Sequence, residues 1–287
     1  MNLKLEDITF VIVSYKSEST LYDCIDSLPK QSKKVIVENS SNINLKKDLM
    51  IKYDNIEVII SKNIGMGAGN NIGLRSCSTQ YAYVLNPDTK LKKDTLKNLL
   101  KELNNLSDFT LASPLNDNIS IPNYKIIDSN VENKNILSVD SIDGFSMLLN
   151  MSKFETKDFF DENFFLYLEN DDLCLRVKKK MQNIYIIKNA LINHKGGISK
   201  NQELEYLRNW HWMWSKFYFN KKHNSFVYAL IKITPNFFSS LVKFIYYSIL
   251  FNNFKKNVYK MRFFGILNSI LGKSSFMRLE SENVKKN

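Results

Sequence analysis

The first hundred or so residues alternate short apolar runs with amphipathic stretches, and this alternation restricts the fold more than any other feature. Ile8–Ser14 (ITFVIVS) is apolar and β-branched, which suits a buried strand. Tyr15–Thr20 is polar loop, and Leu21, Cys24, Ile25 and Leu28 then recur at i, i+3, i+4 and i+7, one stripe of a helix. Lys34–Val37 reads as a second strand, followed by a helical stretch. Ile56–Ile60 reads as a third strand, Asn70–Cys77 as the start of a helix, Tyr81–Leu85 as a fourth strand and Asp94–Leu106 as an amphipathic helix. Strands that alternate with helices predict an α/β fold with a mostly parallel sheet flanked by helices. Such sheets bind ligands at the C-terminal ends of their strands. The polar residues just after each strand, Ser14/Tyr15, Glu38/Asn39, Lys62/Asn63 and Asn86/Asp88, are therefore the first candidates for a site.

Charge divides the chain differently. Residues 216–287 hold 13 Lys/Arg against two Asp/Glu, whereas the preceding 215 residues balance at 27 of each, so the whole net charge of +11 lies in the last quarter. A local basic excess points to an anionic surface as partner. Beyond Trp210 the composition shifts to aromatics, Lys and Asn, and a domain boundary is expected at 215/216: an α/β catalytic domain over 1–215 and a basic, aromatic-rich helical appendage over 216–287. Residues 116–140 are polar and Asn-rich and read as a variable loop. The three cysteines, Cys24, Cys77 and Cys174, are odd in number and widely spaced, so reduced, partly buried thiols and a cytosolic setting are expected. The polar, acidic start Met1–Asp7 carries no pattern of a secretory signal.

Four motifs carry chemistry. Asn86-Pro87-Asp88-Thr89 follows a strand directly; Asp88 offers carboxylate oxygen to a hard divalent cation from a turn stiffened by Pro87, or else the turn only caps the next helix. Asn63-Ile-Gly65-Met-Gly67-Ala-Gly69-Asn70-Asn71-Ile-Gly73 is glycine-rich, which lets backbone approach a ligand and N–H groups face phosphate at a helix start. It follows the third strand, unlike a dinucleotide fingerprint. Glu169-Asn170-Asp171-Asp172-Leu-Cys174-Leu-Arg176 crowds carboxylates that raise one another's pKa, as a general base requires. Arg176 is placed to pair with Asp172 at i,i+4, and acids at a helix N-terminus are the competing reading. Finally, His194-Lys-Gly196-Gly197-Ile-Ser199 sets one of three histidines beside two glycines, where it could ligate metal or touch diphosphate, or serve structure alone.

In this order the motifs resemble the GT-A-fold, inverting family 2 glycosyltransferases, most of all the rhamnosyltransferase-like branch. The matching stretches are 11–15, 37–41, 63–73, 85–89, 160–165, 169–176 and 194–199. The resemblance implies a nucleotide-diphospho-sugar transferase. Ser14, Tyr15, Asn39, Asn63, Gly65, Asn71 and Asn86 would line the nucleotide-sugar site, and Glu38 would take the place of the acid, more often Asp, that holds the pyrimidine. Asp88 matches the metal-binding Asp of an Asp-x-Asp motif whose first acid is replaced by Asn86, and His194 is the second metal candidate. The implied cofactor is Mg²⁺ or Mn²⁺. The family's acidic pair falls on Glu169-Asn170, and Asn170 cannot act as a base at neutral pH. The candidates are then Glu169, Asp171 and Asp172 in that order, Asp172 being assigned to Arg176. The implied reaction is a single in-line displacement with inversion, from a dTDP- or UDP-sugar, rhamnose favoured, to a glycan acceptor carried on polyprenyl diphosphate.

The C-terminal quarter completes these expectations. Phe226–Phe251 is apolar but interrupted by Lys232, Pro235 and Lys243, leaving charge-free runs too short for a spanning helix. It reads either as a cationic amphipathic helix at the inner face of the cytoplasmic membrane or as helices packing on the catalytic domain, with nucleic acid disfavoured as a partner. Two other functions remain open. A sugar nucleotidyltransferase would need a Gly-rich loop after the first strand, and Ser14–Thr20 has no Gly. A non-catalytic nucleotide-sugar-binding module would suit Asn170.

Overall fold

The computed structural model describes residues 3–118, 120–126, 134–196 and 202–275. The chain divides into two compact units, one of residues 1–161 with 169–197 and one of residues 162–168 with 198–287.

The first unit is an α/β layer structure. Its N-terminal half follows the alternation of the sequence: β1(Ile8–Ser14), α1(Glu18–Asp26), β2(Lys33–Glu38), α2(Ile43–Lys52), β3(Ile56–Ile60), α3(Met66–Ser76), β4(Tyr81–Leu85), β5(Thr89–Leu91) and α4(Thr95–Asn104). β6(Leu111–Asn116), β7(Tyr124–Lys125), β8(Ile136–Ser138), β9(Ser141–Ile142), β10(Ser146–Asn150), α5(Glu169–Lys179) and β11(Ile184–His194) follow. The main sheet runs β3-β2-β1-β4-β10-β6-β11-β5, with β8 also on β11. Strands β1 to β4 pair in parallel, as do β6 and β11, while β10, β5 and β8 run the other way. The mostly parallel sheet expected from the alternation is therefore present. β1 is buried along its whole length, as a strand covered on both faces must be. Ile8, Phe10 and Ile12 face one core with Leu21, Cys24 and Ile25 of α1, and Val11 faces a second core with Leu74 of α3 and Leu173 of α5.

Three expectations need correction. The Asn-rich stretch 116–140 is not simply a loop: among its described residues it holds β7 and β8. Its polar side chains replace missing ladder bonds, as buried Asn123 shows by accepting from the Asn116 amide (3.0 Å) and donating to the Pro114 carbonyl (2.9 Å). The turn after β4 leads into strand β5 and caps no helix. The boundary expected at 215/216 falls inside α6(Gln202–His223), and the division lies near residue 197 instead.

The second unit consists of α6, α7(Phe226–Ile249) and α8(Asn253–Ile270), with Met213, Phe217, Ala229, Ile233 and Ile266 at its centre. α6 is continuous because its apolar residues, Met213 and Phe217 among them, are needed in that core. Gly265 allows α8 to approach α6 so closely that a Cβ there would lie 2.3 Å from the Trp210 carbonyl oxygen. The aromatic segment 162–168 belongs here too: Phe165 stacks on His211 at 4.5 Å, and the Ser215 hydroxyl donates to the Leu166 carbonyl (2.9 Å).

Candidate active site

The polar residues singled out from the sequence gather at the C-terminal edge of the parallel strands. Ser14 ends β1 in register with Glu38, which ends β2, and Glu38 is in register with Ile60 at the end of β3. Buried Ser14 lies with its Oγ 3.0 Å from that of Ser17, and Tyr15 is partly exposed beyond it. Glu38 is buried, and its carboxylate accepts from the Ser40 amide at 3.1 Å, from the Ser40 hydroxyl and from the Asn42 amide. It thereby fixes the turn after β2. Asn39 ties this turn to the loop before α3, accepting from the Ile64 amide and donating to the Gly65 carbonyl, each at 3.3 Å. Asn63 is partly exposed in that loop.

The glycine-rich motif serves packing more than ligand approach. Only Gly65, at φ +98 before α3, requires the backbone freedom of glycine. Gly67, Gly69 and Gly73 lie within α3 against other protein atoms. A Cβ on Gly69 would meet Val13 at 3.0 Å, one on Gly73 would meet Val11 at 2.4 Å, and one on Gly67 would meet Phe160 Cβ at 3.2 Å. Asn71, on the same helix, spends both ends of its amide on Phe160, accepting from its N–H (3.0 Å) and donating to its carbonyl (2.8 Å).

The second corner of the site is made by sheet pairing. The Asn86 amide donates to the Phe145 carbonyl (2.9 Å), and the Thr89 hydroxyl returns to the Asn86 carbonyl (2.7 Å), closing the turn over Cys24 of α1. β5 then runs antiparallel to β11 with Thr89 opposite His194. That ladder joins residues 106 positions apart in sequence: Asp88 Oδ1 lies 3.3 Å from His194 Nε2, with about a fifth of each side chain exposed. Phe145 stacks on the imidazole at 4.1 Å. Burial works to raise the Asp88 carboxyl, but the hydrogen bond and charge of His194, with help from backbone and Lys195, outweigh it and hold the group below its usual range. Gly197, Ile198 and Ser199 of the fourth motif lie outside the described residues.

The third corner is the start of α5. Tyr167 and Leu168, just before it, both have positive φ (+71 and +66), a conformation costing about 1–2 kcal/mol for such residues. Glu169 is buried, and its Oε2 has no hydrogen-bond partner among the described residues. Burial, reinforced by the charge of Asp171 and only partly offset by a backbone hydrogen bond, pushes its carboxyl up to about 7. Asn170 donates to the Ile142 carbonyl (3.0 Å), which anchors α5 beside β9. Asp171 pairs with Lys125 at 2.6 Å. Asp172 is fully buried and takes the Arg176 guanidinium at 2.9 Å, the i,i+4 pair read from the sequence. Arg176 also donates to the carbonyls of Asp158 (3.0 Å) and Phe159, so this pair braces the chain leading out of the unit.

One residue of this neighbourhood escaped the sequence reading. Asp143 precedes β10, and burial together with Asp171 raises its carboxyl while Lys125 and His194 partly counter the rise. The signal was an Asp-Gly pair between two apolar runs, Ser141-Ile142 and Phe145-to-Leu149. Asp143 links the corners electrostatically: Asp88 to His194, His194 to Asp143, Asp143 to Asp171, and Asp171 to Glu169.

Among the described residues no group of three or more His, Cys, Asp or Glu stands ready to enclose a metal ion. Asp88 and His194 nevertheless fit a hard ion of the kind bound jointly by protein and phosphate. Neighbouring ligand atoms around an octahedral ion with bonds of about 2.1 Å are about 3.0 Å apart, and such ions keep water and substrate oxygens in most positions. The observed 3.3 Å suits two adjacent positions.

Comparison with known proteins bears on family and fold. The protein-family model "Glycosyl transferase family 2" matches residues 9–173. The chain is 27% identical over 200 residues to the low-salt glycan biosynthesis hexosyltransferase Agl10 of Haloferax volcanii, covering 63% of this chain and 64% of that protein, a little under two thirds of its length. It is 26% identical over 208 residues to the rhamnosyltransferase WbbL of Escherichia coli K12, covering 59% of this chain and 76% of that one. Among solved structures, the mannosyltransferase PcManGT of Pyrobaculum calidifontis, in complex with GDP-Man and Mn²⁺, superposes with a TM-score of 0.57 at 9% identity over 93% of this chain and 88% of that one. S. aureus TarS 1–349 gives 0.52 at 12% identity over 93% and 92%. At such identities these likenesses bear on the fold, and they bear out the GT-A architecture. The family match spans more than half of the chain and takes in the strand ends that carry Ser14, Glu38 and Asp88 together with the first turn of α5, and the protein belongs to glycosyl transferase family 2.

Proposed function

We propose that the protein transfers a sugar, rhamnose favoured, from a dTDP- or UDP-linked donor to a glycan acceptor with inversion. The acceptor is carried on polyprenyl diphosphate at the inner face of the cytoplasmic membrane. The observation that carries the reading is Glu169, a buried carboxyl pushed up to about 7 with an oxygen unpartnered among the described residues, electrostatically joined through Asp171 and Asp143 to the Asp88–His194 pair. A general base works best when its pKa lies near the operating pH. Glu169 takes the proton of the acceptor hydroxyl as that oxygen attacks the anomeric carbon, and the sugar–phosphate bond breaks on the opposite face. Asp88 and His194 would hold a Mg²⁺ or Mn²⁺ ion, which supplies positive charge to the departing diphosphate. Asn39 and Glu38 keep the turns beyond β2 and β3 in place to receive the nucleotide, while Ser14 and Tyr15 flank it. Rhamnose as the donor sugar is supported by the likeness to a protein described as a rhamnosyltransferase.

Transfer and donor hydrolysis by Glu169→Gln and Asp171→Asn test the reading. Glu169→Gln should lower turnover at least ~10²-fold with donor affinity little changed. If Asp171→Asn gives that phenotype instead, the base is Asp171. Asn170 leaves a second reading, a binding module without turnover. In that case wild-type protein would bind the donor with neither hydrolysis nor transfer.

A further inference from the structure

α7 has two unlike faces. Ala229, Ile233 and Ser240 are buried on one side. The other carries Val227, Ile231, Phe238, Val242, Ile245 and Ile249, each between 51 and 68% exposed. At about 100° per residue these six fall within an arc of about 60°, an apolar strip about 33 Å long that is interrupted between Ile231 and Phe238, where Thr234 and Pro235 are exposed. The line continues into the turn after α7, where Leu250 is 54% and Phe251 88% exposed. Phe251 has φ +55, a conformation that bulky side chains seldom adopt, and it turns its ring outward. Tyr228 and Tyr246 border the strip along one edge, and exposed Lys232 and Lys243 stand farther round the helix on the same side. Residues 226–270 contain six Lys/Arg and no Asp/Glu.

A soluble surface seldom leaves so long an apolar strip uncovered. Two occupants fit a strip of this shape, a second copy of the chain and a lipid surface, and charge decides between them. A second copy would bring another all-cationic helix pair against this one, whereas an anionic headgroup layer complements it. Tyrosines at the border of the strip and lysines beyond it repeat the order of a bilayer interface, apolar, then amphipathic, then charged. The helix does not cross: Lys232, Pro235 and Lys243 interrupt it, and among the described residues no helix is long and apolar enough to span a membrane.

We propose that the outward line of α7, continued by Phe251, lies in the headgroup layer of an anionic phospholipid bilayer with the helix parallel to the surface. This deepens the membrane partner named above, but it stands on the second unit alone and not on the transfer chemistry. Flotation of the full chain with vesicles of phosphatidylcholine, with and without an equal part of phosphatidylglycerol, tests it. The protein should float with the mixed vesicles, less at high salt but still measurably, because salt screens the lysines and not the apolar strip. The triple variant Ile231→Ser/Val242→Ser/Ile249→Ser should reduce partitioning at least ~10-fold. Phe251→Ser, in a turn outside the packed core, should reduce it several-fold and stands in should the triple variant misfold. Unchanged flotation of these variants, or no flotation of the wild type, overturns the proposal. So does a wild-type dimer in light scattering that the triple variant makes monomeric, since the strip is then an interface between copies. Donor hydrolysis in vesicle-free buffer should be the same in all variants. Absence of both hydrolysis and transfer from the wild type would remove the transfer reading while leaving flotation to decide this one.

Discussion

Glu169 ties chemistry to stability. Its carboxyl titrates near 7 in the folded protein against about 4.5 when unfolded, so between those values the folded state holds the extra proton. Stability therefore falls as pH rises from about 4.5 to about 7, and the penalty is complete above that range, on the order of 3 kcal/mol. Glu169→Gln removes the titration. It should raise the unfolding free energy at pH 8 relative to wild type, with little effect at pH 4, while abolishing turnover. Denaturant melts at both pH values check this, and an equal effect at both would mean that the carboxyl is not held neutral by burial. Asp88 makes the complementary case. Although it sits deeper than a strand-end position suggests, its side chain meets mainly His194, and its carbonyl, which takes the Lys195 amide at 3.2 Å, survives substitution. Asp88→Ala should therefore fold normally and lose the part of donor binding that depends on Mg²⁺ or Mn²⁺. Equal donor affinity in wild type and variant, with and without chelator, would count against a metal at this position.

At the scale of elements, α3 gives the glycine-rich motif a physical role in packing. The glycines from 67 to 73 stand at the edge of the site, but their physical work is to let α3 lie directly on β1. Gly73→Ala drives a methyl group to within 2.4 Å of Val11 and should cost about 3 kcal/mol, since Val11 is buried in β1 and has no free direction to move. Gly67→Ala meets Phe160 Cβ at 3.2 Å and Glu169 Cβ at 3.4 Å and should cost less stability but more turnover, because the new methyl group rests against the stem of the proposed base. Urea midpoints and turnover measured on both variants separate the two effects. A midpoint for Gly73→Ala equal to wild type would show that α3 can lift from the sheet.

At the scale of the molecule, the two compact units divide the labour implied by the charge map. The first unit is close to neutral and holds the whole candidate site, whereas the second carries the cationic surplus. Ligand binding should accordingly stabilise by mass action: dTDP- or UDP-sugar with Mn²⁺ at a hundredfold excess over its dissociation constant adds ~2.7 kcal/mol. A thermal-shift series over both bases, with and without metal, identifies the donor, and no shift with any nucleotide sugar would contradict the proposed function. Ending the chain at Lys216 would sever α6, so point substitutions are the sound probes of the second unit.

The alternation of residues 8–106 was sufficient for a mostly parallel sheet flanked by helices, because each apolar run had to be covered by the helix next to it, and local periodicity records that requirement. The spacing of Asp172 and Arg176 likewise determined their pairing, since four residues on a helix leave the partners face to face. The position of Asp88 at a strand end followed from the same reasoning. What lay beyond local pattern was every relation made across the sheet. The ladder between β5 and β11 sets Asp88 against His194, and the antiparallel β10 carries Asp143 to the same edge. The desolvation that lifts Glu169 depends on neighbours such as Gly67 that are about a hundred residues away. Nor did composition reveal that 162–168 leaves the first unit or that α6 runs through the expected boundary, because aromatic residues look alike whichever core they fill. Periodicity constrains what a segment becomes; burial and dielectric belong to the assembled neighbours, and those fix which carboxyl keeps its proton.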